Sequence, residues 1–146
     1  MHLAVVGPNV SSHEVITRRQ EAITALNKPE TFLNPLFQIL FMVDDIDSTE
    51  EFNEALKNDA VVVDLWASWC MPCLMMAPVF EEISGRKEMK KVKFIKVNVD
   101  EHPEIAEKFN IMSIPTTIIL KKGKEAGRII GATGAESFEE KIKKFL

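Results

Sequence analysis

Cysteine is scarce in this chain, with two among 146 residues. A small secreted domain stapled by disulfides needs more of them, spread along the sequence, so that class is excluded. Long hydrophobic runs are missing too: the longest apolar stretch near the start, residues 36–43, is broken by Gln38 and falls far short of the roughly 20 residues of a transmembrane helix. Residues 1–10 show no basic segment leading into a long apolar core, so a cleaved secretory signal is not expected and the chain is read as cytoplasmic. Nor is there an excess of positive charge. The formal net charge is -4 and the basic residues lie among acidic ones, which excludes the basic stripe that a nucleic-acid partner requires. No Gly-X-Gly-X-X-Gly lies between a strand and a helix, so neither a flavin nor a nicotinamide is expected. The three histidines, His2, His13 and His102, are not spaced beside the cysteines, and a zinc site would lack ligands. No metal is expected, the one arrangement left open being a cluster shared by two chains. Internal repeats and low-complexity segments are absent.

What remains is a chain with 46% apolar and 27% charged residues, long enough for one domain with a real core. Ser11 followed by Glu14 has the capping-box pattern, and Val15, Ile16, Ala22, Ile23 and Leu26 share a face, which predicts an amphipathic helix over 12–27 in an N-terminal extension, residues 1–36. Residues 37–146 form the main domain. There, 39–43 reads as a strand; Ser48 and Glu51 start a capped helix carrying Phe52, Ala55 and Leu56 inward; and the valine-rich run 60–66 reads as a central strand buried on both faces. A helix over 71–84 follows, with Pro78 inside it and Gly85 to end it. Strands at 92–99 and 116–120 flank a short helix at 103–109, Lys122-Gly123 turns the chain into a return strand at 128–131, and 137–146 is a last amphipathic helix. Long crossovers join parallel strands and tight turns join antiparallel ones, so the fold class is α/β with a mixed sheet and helices on both faces.

The chemistry lies where both cysteines fall in one four-residue window, Cys70-Met71-Pro72-Cys73, directly after the central strand. The nucleophile in thiol chemistry is the thiolate, and the unpaired N–H groups at a helix N-terminus favour it. Cys70 holds that position. Cys73, three residues on and one turn deeper, is close enough to close a disulfide with it and suits the second, resolving attack. Pro72 keeps the intervening turn stiff. Asp64 interrupts the apolar strand six residues before Cys70, near the same end of the sheet. Such a buried carboxyl either rises in pKa or finds a partner, and a raised pKa would let it take a proton from Cys73 near neutral pH. Lys96, on the adjacent strand, is the candidate partner that tunes it.

The segment Trp66-Ala67-Ser68-Trp69-Cys70-Met71-Pro72-Cys73 resembles the active-site segment of thioredoxins, and Ile114-Pro115-Thr116 strengthens the resemblance, which runs from about residue 38 to 146. It implies a thioredoxin fold, βαβαββα, with the N-terminal helical extension outside it. It also implies a cis proline at Pro115 facing the disulfide, and matches Asp64, Lys96 and Gly131 to the family's buried acid, strand lysine and hairpin glycine. Trp69, Ile114, Pro115, Gly131 and Ala132 would then form a shallow groove for an extended substrate chain beside Cys70 and Pro72. Helical spacing turns Met76 and Ala77 to the sheet, leaving Met71 and Met112 as groove candidates. The implied activity is reduction of protein disulfides through the Cys70/Cys73 pair with no other cofactor, recharged by a separate thioredoxin-reductase-like donor. The chain is expected to be a monomer, with association through the extension as the alternative. Typical members carry glycine at Met71 and a basic residue at Leu74. Oxidising relatives place histidine inside the motif; Met71 and Pro72 supply no such donor, so a reductant is expected. The competing reading is a thioredoxin-like adaptor whose groove and extension hold a partner while the thiols are incidental or regulatory.

Overall fold

A computed structural model describes residues 42–146, which lie within one compact unit, Ile39–Leu146. The extension, its helix over 12–27 and residues 39–41 of the first expected strand fall outside the described residues. The elements are β1 (Val43–Asp45), α1 (Thr49–Ala55), β2 (Ala60–Trp66), α2 (Met71–Ser84), a 3-10 turn (Lys87–Met89), β3 (Lys93–Asn98), α3 (Pro103–Lys108), β4 (Thr116–Lys121), β5 (Lys124–Ile130) and α4 (Ala135–Phe145). The sheet order is β1-β3-β2-β4-β5. β2 runs parallel to β3 and antiparallel to β4, β3 is parallel to β1, and β4 and β5 form the hairpin.

Two edge elements differ from the sequence expectation. β1 runs on past 43 through Asp44 and Asp45, and β5 begins at Lys124 rather than Arg128, taking in Lys124, Glu125 and the sparsely β-forming Ala126 and Gly127. Both are edge strands. Charge on an edge blocks pairing with another chain, and it also erases the apolar pattern by which a strand is recognised. The hairpin turn itself has Lys122 at φ 50° and Gly123 at φ 77°, the paired positive angles of a two-residue turn that suits the sheet's twist.

Alternation along β2 divides the core. Val61, Val63 and Leu65 pack on one face with Phe52 and Ala55 of α1 and Ile105 of α3. Val62 packs on the other with Met76, Phe80 and Ile83 of α2 and Phe138 and Ile142 of α4. By the same period of two, Asp64 shares the face of Val62, and Lys96 shares that of Phe94, so both lie on the side covered by α2. Ser48 caps α1, its Oγ accepting from the Glu51 N–H at 3.1 Å; Glu51 reaches back to the Asp47 N–H at 3.0 Å, one residue outside the usual box.

Gly127 on β5 is required by packing. A Cβ there would stand 2.4 Å from the ring of Phe145. Gly127→Ala gains about 0.4–1 kcal/mol by restricting the unfolded chain, but overpacking of this kind costs about 1–3 kcal/mol. A net loss of stability in urea unfolding is expected, and it should shrink when Phe145→Ala is added to the same chain.

Candidate active site

β2 delivers the chain to the site. The Cys70 N–H donates to the Ala67 carbonyl at 3.2 Å, and Cys70 takes the N-cap position of α2 with extended backbone angles. Its Sγ accepts from the Cys73 N–H at 3.3 Å, so one of the free donors of the helix end is spent on the sulfur that would carry negative charge. Cys70 and Cys73 are joined by a disulfide across a Cα separation of 5.2 Å. Both are buried, at 5% and 2% exposure, but their access differs. A cavity of about 620 Å³ lies between residues 69–72 and 111–114, with Val99 and Ala106, and Cys70 lines it while Cys73 does not.

Trp69 stands exposed at the rim, its indole N–H donating to Asp100 at 2.8 Å. Asp100 was not singled out in the sequence; a bond across 31 positions leaves no local signal. The Ile114-Pro115 peptide is cis, and the Ile114 carbonyl oxygen is 3.8 Å from the Cys70 sulfur. Gly131, at φ 86°, donates its N–H to the Pro115 carbonyl at 2.8 Å, which brings the end of β5 beside this loop. Nothing lies within 4 Å of where its Cβ would be, so backbone conformation rather than crowding favours glycine. Gly131 and Ala132 do not line the cavity, whereas Val99, Ala106 and Ile111, outside the expected groove, do. Met71 and Met112 are exposed at its rim, and Met75 is exposed as well; Met76 is buried against the sheet and Ala77 half-buried.

On the α2 side of the sheet, Asp64 is fully buried and neither carboxylate oxygen has a hydrogen-bond partner among the described residues. Its register neighbours are Lys96 on β3 and Thr117 on β4. Burial pushes the Asp64 carboxyl from 3.8 up to about 7, with the positive charge of Lys96 opposing the rise and Asp45 adding to it. The Lys96 ammonium sits 4.6 Å from the centre of the Trp66 ring, a cation-π contact that holds it in this apolar layer. Among the described residues no three of His, Cys, Asp and Glu gather as a metal cluster would require.

This arrangement also has close relatives. The thioredoxin family model matches residues 45–144. The chain belongs to the thioredoxin family. The thioredoxin of Staphylococcus saprophyticus is 41% identical over 95 residues, 65% of this chain and 90% of that protein. Thioredoxin 1 of a Nostoc species is 43% identical over 101 residues, covering 68% of this chain and 92% of its own length. Among solved structures, the thioredoxin of Malassezia sympodialis superposes with a TM-score of 0.66 at 36% identity, covering 70% of this chain and 90% of that one. As a thioredoxin-family member with a closed Cys70–Cys73 pair at the start of α2, the chain is a thiol-disulfide oxidoreductase of thioredoxin type. Family members act on disulfide substrates and are themselves reduced by a thioredoxin reductase.

Proposed function

We propose that this protein is a cytoplasmic electron carrier working in the reducing direction, with Cys70 as the attacking and Cys73 as the resolving thiol. The observation that carries the assignment is that Cys70 lines the cavity and Cys73 does not. In the first step the Cys70 thiolate attacks one sulfur of a substrate disulfide, forming a mixed disulfide and releasing the other substrate sulfur as thiolate. Cys73 then gives its proton to the Asp64 carboxylate and attacks Cys70, which releases the second substrate thiol and closes the Cys70–Cys73 disulfide. Two electrons pass to the substrate, and a separate thioredoxin-reductase-like enzyme restores the dithiol. The position of Asp64 on the α2 side of the sheet and its raised pKa support the proton acceptor's role, with Lys96 tuning it. Trp69, Met71, Pro72, Ile114 and Pro115 contact the substrate chain, and Gly131 and Ala132 guide it where β5 meets Pro115.

The test is a titration of the Cys70/Cys73 couple in defined thiol–disulfide buffers, followed by the fluorescence of Trp66 and Trp69. A midpoint near about -270 mV is expected for a reductant of this type. A value at or above about -180 mV would place the protein among oxidising folding catalysts instead.

A further inference from the structure

The large apolar side chains that stand exposed among the described residues, from Leu74 at 44% to Met112 at 92%, gather at the disulfide end of the sheet. Trp69, Met71 and Met112 rim the cavity, Leu74 and Met75 follow Met71 at helical spacing of three and four on α2, and Ile130 ends β5, opposite Thr116 in register. A gathering of exposed apolar side chains of this kind marks an interaction surface. The charge that its own segments carry is acidic. The three stretches that build most of this end, residues 66–80, 109–120 and 129–135, contain no charged side chain. The fourth, the loop after β3, contributes Asp100, bound to the Trp69 indole at the rim, and its exposed neighbour Glu101. Arg128, whose guanidinium reaches the Phe109 carbonyl at 3.0 Å, is committed to Glu125 through two bonds of 2.6 and 2.8 Å. Two cations meet these stretches from outside them, Lys96 4.6 Å from the centre of the Trp66 ring and Lys108 5.8 Å from that of Phe109, and among the described residues neither is ion-paired with Asp100 or Glu101.

We propose that this face sorts protein disulfides by their flanks, favouring those set in apolar sequence with lysine or arginine beside it and disfavouring those flanked by carboxylates. Met71, Leu74 and Met75 take the apolar residues, and Asp100 and Glu101 supply the sign. The proposal rests on the reductase reading and names its substrate class. Complementary charge acts on encounter and on register, so the effect falls on kcat/KM and weakens with salt.

The experiment compares two synthetic peptides with the same internal disulfide and the same apolar flanks, one ending in two lysines and one in two glutamates. Each is reduced by the full chain kept in its dithiol form. The thiol chemistry is common to both and cancels in the ratio of kcat/KM. At low salt the lysine peptide is expected to be favoured about tenfold, equivalent to about 1.4 kcal/mol, and the ratio should approach one at about 1 M salt, where the screening length is about 3 Å. Glu101→Lys should bring the low-salt ratio near one, and Leu74→Lys should move it further toward the glutamate peptide. A ratio of one in the unaltered chain at low salt, or a ratio that Glu101→Lys leaves in place, overturns the sorting while leaving the reductase intact. If neither peptide is reduced, the reductase reading falls, and the sorting with it.

Discussion

Replacing Cys70 with serine is expected to abolish turnover of a protein disulfide, by at least about a thousandfold, because a serine hydroxyl without an activating base is not ionised at neutral pH and forms no sulfur–sulfur bond. The matching change at Cys73 should behave differently. Cys73→Ser leaves Cys70 at the N-cap of α2, still facing the cavity and still accepting the residue 73 backbone N–H, so the first attack proceeds. Resolution then has no thiol. The variant should accumulate one mixed disulfide per chain at Cys70, seen by intact mass after acid quenching and reversed by a small dithiol. Trapping by Cys70→Ser in place of Cys73→Ser would reverse the two roles. Because both substitutions swap sulfur for oxygen at buried positions, similar circular dichroism and unfolding for the two variants would separate a chemical loss from a structural one.

The interior of this fold was easier to read than its edges. β2 is almost wholly apolar because it is buried on both faces, and its range, 60–66, follows from that run. α2 was equally plain, since apolar residues at helical spacing fill it and Cys70 and Gly85 bound it on both sides. The edge strands were not, because charges that protect an edge remove the pattern that announces a strand. The same division holds at the site. Cys70, Cys73 and Asp64 stand out locally: two thiols in one turn, and one acid in an apolar strand. The cavity does not, because Val99, Ala106 and Ile111 are ordinary apolar residues in sequence, and only the folding of the loop after β3 and the segment after α3 against Trp69–Pro72 makes them a wall. The Trp69–Asp100 bond belongs to the same class, a contact made by tertiary structure alone. The cis peptide at Pro115 was reached through family resemblance rather than through any local pattern.

Asp64→Asn should stabilise the protein at alkaline pH while slowing its second chemical step. The carboxyl titrates near 3.8 in the unfolded chain and is raised by burial to about 7 in the folded one. Between those values the folded state holds a proton that the unfolded state has released, so stability falls as pH rises, by about 1.4 kcal/mol per pH unit. Above about pH 7 both states are ionised and the loss is complete, on the order of 4 kcal/mol relative to acid conditions. Asparagine carries no titrating proton, so Asp64→Asn and the unaltered protein should have similar stability near pH 4 and diverge progressively up to pH 7, with the variant ahead; urea midpoints measured across that range provide the check. A gap that stays constant with pH would mean that the folded carboxyl titrates normally. The catalytic consequence has the opposite sign. A thiol with an ordinary pKa near 8.5 is only a few per cent thiolate at pH 7, so removing its proton acceptor is expected to slow resolution of the mixed disulfide by about tenfold at that pH. The loss should shrink as pH rises and solvent takes the Cys73 proton unaided. Resolution is measured directly by mixing preformed Cys70 mixed disulfide and following release of the substrate thiol. Equal resolution rates in Asp64→Asn and the unaltered protein across pH 6–9 would leave Asp64 a buried acid that costs stability without acting in the reaction.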